Sequence, residues 1–289
     1  MKFEEILRAA LEKGATDVHL KAGVTPVIRR HGVLRPLKID APPLTGAQIE
    51  EMAFELLSEK QRDAFMERQE IDLGYGISGL GRFRISIFHQ RGTARIVVRN
   101  IPFKVPNFKD LNLPEILKKI ASTERGLILI TGVAGSGKSS TLAALIDDIN
   151  QRDHKHILTI EDPIEYLIRD RKSLITQREL GVDTHSFAHA LRAGLRQDPD
   201  VILIGEMRDR ETIDTALLAA ETGHLILSTL HTLDATETIN RILAAFDSSQ
   251  HTQVRLQLAA TLKAVVSQRL TRRKDGTGMV PAEIGRAHV

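Results

Sequence analysis

The spacing of apolar positions divides the chain into two regions. In the first, helical spacing over residues 3–11 predicts an amphipathic helix, and short strand-like runs broken by Gly and Pro follow at 17–21, 26–30 and 32–37. A second helical pattern begins at Thr45. The first hundred residues therefore predict a small α+β domain.

A hairpin with one cationic face closes this region. Strict alternation over residues 82–87 places alternate arginines on one face, residues 95–99 repeat the pattern, and residues 90–93 provide the turn. All seven charged residues between Asp72 and Asp110 are basic: Arg82, Arg84, Arg91, Arg95, Arg99, Lys104 and Lys109. Composition alone leaves two interpretations open, a solvated basic face and an anion-binding face.

A cluster of prolines marks the domain boundary. Pro102, Pro106 and Pro114 place three of the chain's 10 prolines close together. We therefore expect an N-terminal domain over 1–99, a linker over 100–113 and a second domain over 114–289.

The second region is typical of a parallel α/β domain. Apolar runs without alternation lie at 126–130, 156–160, 201–204 and 225–227, as in strands that are buried on both faces. Segments with helical spacing separate them, and Gly223 should end one of these helices. Ligands of such domains bind at the carboxyl ends of the strands.

Residues 132–139 fit the phosphate-binding pattern G-x-x-x-x-G-K-[ST], directly after a predicted strand and before a helical run over 140–149. Glycines let backbone N–H groups approach phosphates, and a helix N-terminus adds a favourable dipole. Lys138 should hold the β- and γ-phosphates of ATP, and Ser139 should be a ligand of Mg²⁺. The expected nucleotide-binding residues are Gly132, Ala134, Gly135, Ser136, Gly137, Lys138, Ser139 and Ser140.

Two further strands run into carboxylates. Glu206 follows an apolar run as in a Walker B element, where it could hold Mg²⁺, position the attacking water, or do both; alternatively it caps the next helix. Glu165 ends an acidic segment and is the expected general base. The competing interpretation of that segment is a surface turn opened by Asp162-Pro163.

Four other residues are weaker candidates. His224 and His231 bracket a predicted strand and could sense the γ-phosphate or a neighbouring subunit, although a lone histidine is often structural. Arg192 and Arg196 lie four residues apart, on one face of a predicted helix, and could reach phosphate or a neighbour. A solvated helix face is the alternative for the two arginines.

The composition of the chain argues against several kinds of site, location and partner. The chain of 289 residues has no Cys, which excludes disulfides and Cys-ligated metal sites and fits a reducing, cytoplasmic compartment. Its start is too acidic for a signal peptide, and its apolar runs are far shorter than the ~20 residues of a membrane span. A net charge of +3, no Trp and only 2 Tyr argue against a nucleic-acid partner.

The ordered motifs resemble those of secretion and pilus motor ATPases. The resemblance rests on the phosphate loop and on residues 14–20, 160–165, 205–209 and 224–232. It is greatest for the PilT-type retraction ATPases of type IV pili, and it runs nearly from end to end of the chain. Because the chain lacks the tetracysteine zinc insertion and extra N-terminal domain usual in extension and type II secretion ATPases, retraction is favoured over assembly.

The resemblance implies a PAS-like N-terminal domain, a RecA-like ATPase domain and a homohexamer with ATP and Mg²⁺ at the subunit borders. It implies a cytoplasmic motor for pilus retraction and twitching motility, docked on an inner-membrane platform protein and having no transmembrane segment of its own. By the same resemblance Glu165 matches the acidic-box base and Glu206 the Walker B glutamate. Arg84 and Arg99 match arginines that the N-terminal domain brings to the phosphates.

Other functions remain open. Pilus-extension or type II secretion ATPases are the nearest alternative, a nucleic-acid translocase with a RecA core belongs to another class, and a nucleotide-gated scaffold is the non-catalytic possibility. Residues 284–289 look foreign to the family, like a translated sequencing adapter. We therefore expect a C-terminally truncated motor whose native sequence ends near residue 283.

Overall fold

The chain forms two sheets, one in each of two units that comprise Met1–Pro102 and Phe103–Val289. The computed structural model describes residues 2–39, 41–101, 105–272, 274 and 279–287, with the backbone alone described over 283–287.

The first unit is an antiparallel sheet with helices over one face. Its elements are α1 (Phe3–Glu12), β1 (Asp17–Leu20), β2 (Val27–Arg30), β3 (Val33–Pro36), α2 (Gly46–Leu56), α3 (Glu59–Arg68), β4 (Glu70–Ile77), β5 (Gly81–Gln90) and β6 (Thr93–Ile101). The strand order is β3-β2-β1-β6-β5-β4. Apolar side chains of α1 and α2, such as Ile6 and Ile49, pack against the inward residues Ile85 and Ile96 of the sheet.

Local signals explain these elements. Thr45 caps α2 with its side chain, which accepts a hydrogen bond from the Gln48 backbone at 3.2 Å, and the Gln48 side chain accepts from the Thr45 N–H in return. The predicted hairpin is confirmed as β5 and β6, joined by Arg91 and Gly92. Both turn residues have positive φ, 51° and 74°, as a tight two-residue hairpin turn requires.

The second unit is a layered α/β structure. Its elements are α4 (Ile116–Ala121), β7 (Gly126–Thr131), α5 (Lys138–Arg152), β8 (His156–Glu161), β9 (Leu174–Glu179), α6 (Phe187–Gly194), β10 (Val201–Ile204), α7 (Arg210–Glu221), β11 (Leu225–Leu230), α8 (Ala235–Leu243), α9 (His251–Thr261), β12 (Leu262–Arg272) and β13 (Met279–Ala287). The sheet order is β13-β12-β7-β11-β10-β8-β9, and the pairs are parallel except for β12 with β13.

Each face of this sheet has its own core. Leu127 and Leu129 of β7 contact the cluster that includes α6, α7 and α9, whereas Ile128 and Ile130 contact the cluster that includes α4 and α5. The four strands that lack alternation are therefore buried on both sides, as their sequences predicted. The α/β fold class is confirmed.

The expected linker differs from the structure at both ends. Asn100 and Ile101 still belong to β6, so the first unit continues past the predicted boundary at residue 99. Phe108 and Leu113 are buried in the core of the second unit, because their apolar side chains pack beside α4. Residues 102–104 of the expected linker lie outside the described residues.

Strand β13 extends into the segment that looks foreign in sequence. Its backbone pairs with β12 as far as Ala287, which lies opposite Val265. His288 and Val289 lie outside the described residues. The expectation that residues 284–289 are foreign and that the motor is truncated there stays a prediction.

Candidate functional site

The site lies where β7, β8, β10 and β11 end, at the carboxyl edge of the second sheet. The loops that follow these strands surround a cavity of about 560 Å³. Its lining includes Ala134, Gly135, Ser136, Gly137, Lys138, Ser139, Ser140, Glu161, Asp162, Glu165, Tyr166, Phe187, Glu206, Arg208, Thr229, His231 and Leu270. Most residues that the sequence predicted for nucleotide chemistry therefore converge on one cavity.

Two glycines give the phosphate loop its shape. Gly132 and Gly137 have φ of 144° and 88°, in the region that disfavours side chains. A Cβ at Gly132 would collide with the Gln268 backbone oxygen, so only glycine lets the loop approach β12. Helix α5 begins at Lys138, which places its N-terminal N–H groups beside the loop.

Lys138 is held inside the loop. Its side chain is 8% exposed, and Nζ donates hydrogen bonds to the carbonyl oxygens of Gly132 and Val133 at 2.8 and 3.0 Å. Burial lowers the pKa of Lys138, while the carboxylates of Glu165 and Glu206 act in the opposite direction. The three side chains therefore interact electrostatically across the cavity, with one cation and two anions.

The loop fits a phosphate group. Within the described part of the chain the Ser136 hydroxyl is buried without a hydrogen-bond partner, which suits a loop that binds an oxygen-rich ligand. Ser139 lies next to Lys138 in the first turn of α5, and the Ser140 hydroxyl is 2.8 Å from the Tyr166 hydroxyl. A phosphate would meet one ammonium, several hydroxyl groups and helix N–H groups.

The residues also fit Mg²⁺. The Ser139 hydroxyl and the Glu206 carboxylate both line the cavity, and they offer the oxygen ligands that Mg²⁺ prefers. Over the described residues no cluster of three or more His, Asp or Glu side chains could hold a metal ion. Mg²⁺ commonly uses one or two protein ligands together with substrate phosphates.

Glu206 lies at the centre of a small polar group. Its Oε2 is 2.7 Å from Arg208 Nε and 3.7 Å from His231 Nε2, and its side chain is 17% exposed. Burial and the charge of Lys138 lower the pKa of His231, against the effect of Glu206, and so favour the neutral imidazole. Helix α7 is capped by Asp209, whose side chain accepts from the Thr212 N–H at 2.8 Å. Glu206 is therefore not the cap of that helix.

The segment after β8 presents Glu165 to the same cavity. Glu165 is exposed and lines the cavity, so the segment is more than a surface turn. The Asp162–Pro163 peptide is cis. Burial raises the pKa of Glu161, which accepts hydrogen bonds from Thr159 and Gln177 at 2.6 and 3.1 Å.

Gln177, on the neighbouring strand β9, holds this segment in place. Its Nε2 also donates to the Tyr166 carbonyl at 3.0 Å, and its Oε1 accepts from the Ile168 N–H at 2.9 Å. The carboxylate of Glu179, two residues further along β9, accepts from the Ile164 N–H at 3.2 Å. The backbone on both sides of Glu165 is thus bonded to β9.

Sequence reasoning missed Arg208 and Glu161, which line the cavity, and Gln177 and Gln268, which support it from neighbouring strands. Arg208 and Glu161 belong to motifs that were recognised, and their charge beside Glu206 and Glu165 was the available signal. No sequence signal pointed to Gln177 or Gln268. Each lies on a strand that the apolar pattern did not reveal, and no recognised motif surrounds either glutamine.

Three predicted site residues lie away from the cavity of their own chain. His224 precedes β11, so it lies at the opposite edge of the sheet, about 20 Å from the cavity edge for a six-residue strand. Its Nδ1 is 3.0 Å from the Ala219 carbonyl at the end of α7. Arg192 pairs with Glu211 at 2.6 Å. Helix α6 ends at Gly194, so Arg196 lies beyond it and the expected shared helix face is not formed.

Arg84 and Arg99 belong to the first unit and lie opposite each other on β5 and β6. Arg99 Nε is 2.9 Å from Asp17 Oδ1, and Arg84 Nη2 is 3.8 Å from Asp72 Oδ2. Burial alone would raise the pKa of Asp17, but hydrogen bonds and charge from Arg99, aided by Thr16, lower it. Both arginines are exposed, and their role toward nucleotide stays a prediction.

Comparison with known proteins agrees with this geometry. A model of the "Type II/IV secretion system protein" family matches residues 2–280. The chain belongs to this family. The resemblance to PilT-type ATPases that the motifs carried is confirmed, and the chain is an ATPase.

Individual relatives match over most of their length. The type IV pilus retraction ATPase PilT of Pseudomonas aeruginosa is 45% identical over 282 residues, which are 98% of this chain and 81% of the relative. The type IV pilus ATPase PilU of the same organism is 45% identical over 96% of this chain and 72% of its own. A crystal structure of the pilus retraction motor PilT with bound ADP superposes with a TM-score of 0.93 at 46% identity, covering 100% of this chain and 83% of that chain.

Helices that could cross a membrane are not found among the described residues, since none is both long and apolar enough.

Proposed function

We propose that the chain is an ATP-hydrolysing motor that powers type IV pilus retraction and thereby twitching motility. The observation that carries the proposal is the convergence of Lys138, Glu165 and Glu206 on one cavity at the carboxyl edge of the sheet. The 45% identity to a retraction ATPase over 98% of the chain supports the direction of force.

The cavity contains side chains suited to phosphate binding, to Mg²⁺ binding and to activation of the attacking water. Lys138 and the N–H groups of the loop would bind the β- and γ-phosphates, with Ser139 and Glu206 holding Mg²⁺, which neutralises phosphate charge when bound. Glu165 would orient the attacking water and accept its proton. A neutral His231, 3.7 Å from Glu206, can exchange a hydrogen bond with the γ-phosphate without adding charge.

The two units correspond in this proposal to a PAS-like N-terminal domain, Met1–Pro102, and a RecA-like ATPase domain, Phe103–Val289. Six copies would form a ring with ATP at the subunit borders. Arg84 and Arg99 would then act on phosphate charge, an effect of about 10³ to 10⁵ in rate for arginines in other NTPases.

The remaining candidates concern contacts between copies and with the membrane. His224, Arg192 and Arg196 lie away from their own cavity, so any contact they make with nucleotide would be with that of a neighbouring subunit. The motor would be cytoplasmic and would associate with the inner membrane through a pilus platform protein.

Two measurements test the proposal. ATP turnover of the purified chain, measured with and without single-stranded DNA and alongside solution mass, should show Mg²⁺-dependent hydrolysis by a hexamer without stimulation by DNA. Stimulation by DNA would favour a nucleic-acid translocase instead. Expression in a piliated strain that lacks its own retraction ATPase should restore twitching, and Lys138→Ala should not; a failure of the wild-type chain would contradict the retraction role.

A further inference from the structure

Gln268 joins strand β12 to the phosphate loop. Its side chain is 3% exposed, and its Nε2 donates to the Ser136 carbonyl at 2.7 Å while its Oε1 accepts from the Thr141 hydroxyl at 2.8 Å. Both ends of one buried amide are therefore used, one on the loop and one in the first turn of α5. Residues far apart in sequence meet here.

The same side chain lies behind Gly137, the third glycine of the loop. A Cβ at Gly137 would lie 2.8 Å from Gln268 Nε2, and the backbone oxygen of Gln268 lies even closer behind Gly132. Strand β12 thus forms the back wall against which the loop is shaped.

The hydrogen bond to Ser136 has a consequence for the next N–H group. In a trans peptide the C=O and N–H groups point in opposite directions. Because the Ser136 carbonyl points at the Gln268 side chain, the N–H of Gly137 points away from that side chain, and Gly137 lines the cavity. A phosphate at the loop would be met by that N–H.

We propose that Gln268 is a positioning residue for phosphate binding, which acts by orienting the Ser136–Gly137 peptide. The inference rests on the proposed nucleotide-binding function of this loop. Without the amide, the peptide can rotate, and the buried Ser136 carbonyl and Thr141 hydroxyl are left unsatisfied. The loop then loses part of its preorganisation for phosphate.

The test compares two neighbouring positions of β12. Gln268→Met keeps the length and bulk of the side chain and removes both hydrogen bonds. Ser267→Ala is the matched control, because Ser267 is equally buried and its hydroxyl is 3.0 Å from that of Thr131 in β7, so the variant removes a buried polar contact of β12 that involves none of residues 132–139. Thermal unfolding without nucleotide verifies that each variant is folded.

The readout is the Kd for ADP with Mg²⁺, measured on the full chain with a fluorescent ADP. We expect Gln268→Met to raise Kd by about 10-fold or more, which corresponds to about 1.4 kcal/mol, and Ser267→Ala to stay within about 2-fold of wild type. In turnover, KM for ATP should rise by a larger factor than kcat falls. Thr141→Val should weaken binding less, since the bond to Ser136 remains.

Gln268→Glu provides a second variant. Its carboxylate can accept from Thr141 but cannot donate to Ser136, so ADP binding should weaken at least as much as in Gln268→Met. If Gln268→Met does not fold, the Kd of Gln268→Glu is the test. A folded Gln268 variant with wild-type Kd, or an equal loss in Ser267→Ala, would overturn the positioning role. If the wild-type chain itself does not bind ADP, the proposed function fails instead.

Discussion

The guanidinium of Arg208 lies 2.7 Å from the carboxylate of Glu206. Arg208 is 72% exposed, so solvent screens the pair and it contributes little to stability. Its position matters more, because a positive charge lies beside the carboxylate that is proposed to hold Mg²⁺.

Removal of the Arg208 charge should strengthen Mg²⁺ binding. Arg208→Ala should lower the Mg²⁺ concentration for half-maximal turnover at least several-fold, because a unit positive charge and a divalent cation about 4 Å apart repel by about 2 kcal/mol in water. The measurement is a Mg²⁺ titration of ATP turnover. An unchanged midpoint would contradict competition between Arg208 and Mg²⁺, and Arg255→Ala, on α9, is the control for loss of a surface arginine.

Variants of Lys138 and Glu206 should lose different functions: ATP binding together with hydrolysis in the first, and hydrolysis alone in the second. Lys138→Ala removes the ammonium from the loop and should abolish turnover and weaken ATP binding. Glu206→Gln keeps the size of the side chain and should preserve binding but lose hydrolysis. Parallel measurements of ATP binding and turnover distinguish the two, and near-wild-type turnover of either variant would remove that residue from the proposed machinery.

Gln177 should affect hydrolysis more than binding. Gln177→Met removes the two bonds of Gln177 to the backbone after Glu165 and leaves the bond of Glu179 before it, so we expect turnover to fall by about 10-fold with little change in ADP affinity. Thr176→Val is the matched control, because the adjacent Thr176 hydroxyl bonds to His156, away from the segment. Equal losses of turnover in both variants would indicate a general defect of β9.

Neutralisation of Arg84 or Arg99 should lower turnover by at least about 10-fold if both act on nucleotide. Arg84→Gln is the cleaner variant, since its partner Asp72 is exposed. Arg99→Gln leaves Asp17 without its closest cation, so it should be compared with Arg99→Gln in an Asp17→Asn background. Full turnover in both single variants would contradict a role in hydrolysis and would favour the interpretation of the hairpin as a solvated basic face.

Asp17 should make the stability of the first unit depend on pH. Its pKa is lower in the folded chain, mainly through Arg99, against the raising effect of burial. Such a group stabilises the fold above its unfolded pKa of about 3.9 and loses that contribution as pH falls through the folded pKa. Asp17→Asn should therefore reduce the free energy of unfolding by about 1–3 kcal/mol at pH 7, and by less below about pH 4.

Urea unfolding followed by tyrosine fluorescence measures this difference. In a Tyr166→Phe background Tyr75 is the remaining tyrosine, and the chain has no Trp, so the signal reports on the first unit. If Asp17→Asn lowers the free energy of unfolding as much at pH 3 as at pH 7, the linkage to this carboxylate is contradicted.

Local patterns sufficed for much of the fold. Runs such as residues 201–204 are apolar without a break because both faces of a parallel strand are buried, and the turn at Gly92 follows from a hairpin's need for positive φ. The phosphate loop at residues 132–139 could be recognised from sequence, since its glycines, its lysine and the following helix are adjacent in the chain. Glu165 and Glu206 could be selected because each follows such a strand.

Other features depend on contacts between distant segments, which no local pattern encodes. Gln268 reaches Ser136 only because β12 pairs beside β7, and Gln177 supports Glu165 only because β9 lies beside β8. The sequence placed His224 and His231 at opposite ends of one strand, and the direction of β11 decides that His231 reaches the cavity and His224 does not. The sequence alone therefore determined the chemistry of the phosphate loop and the class of fold. The tertiary structure decided which polar side chains hold that chemistry in place, because hydrogen bonds across a sheet join residues by register and not by proximity in the chain.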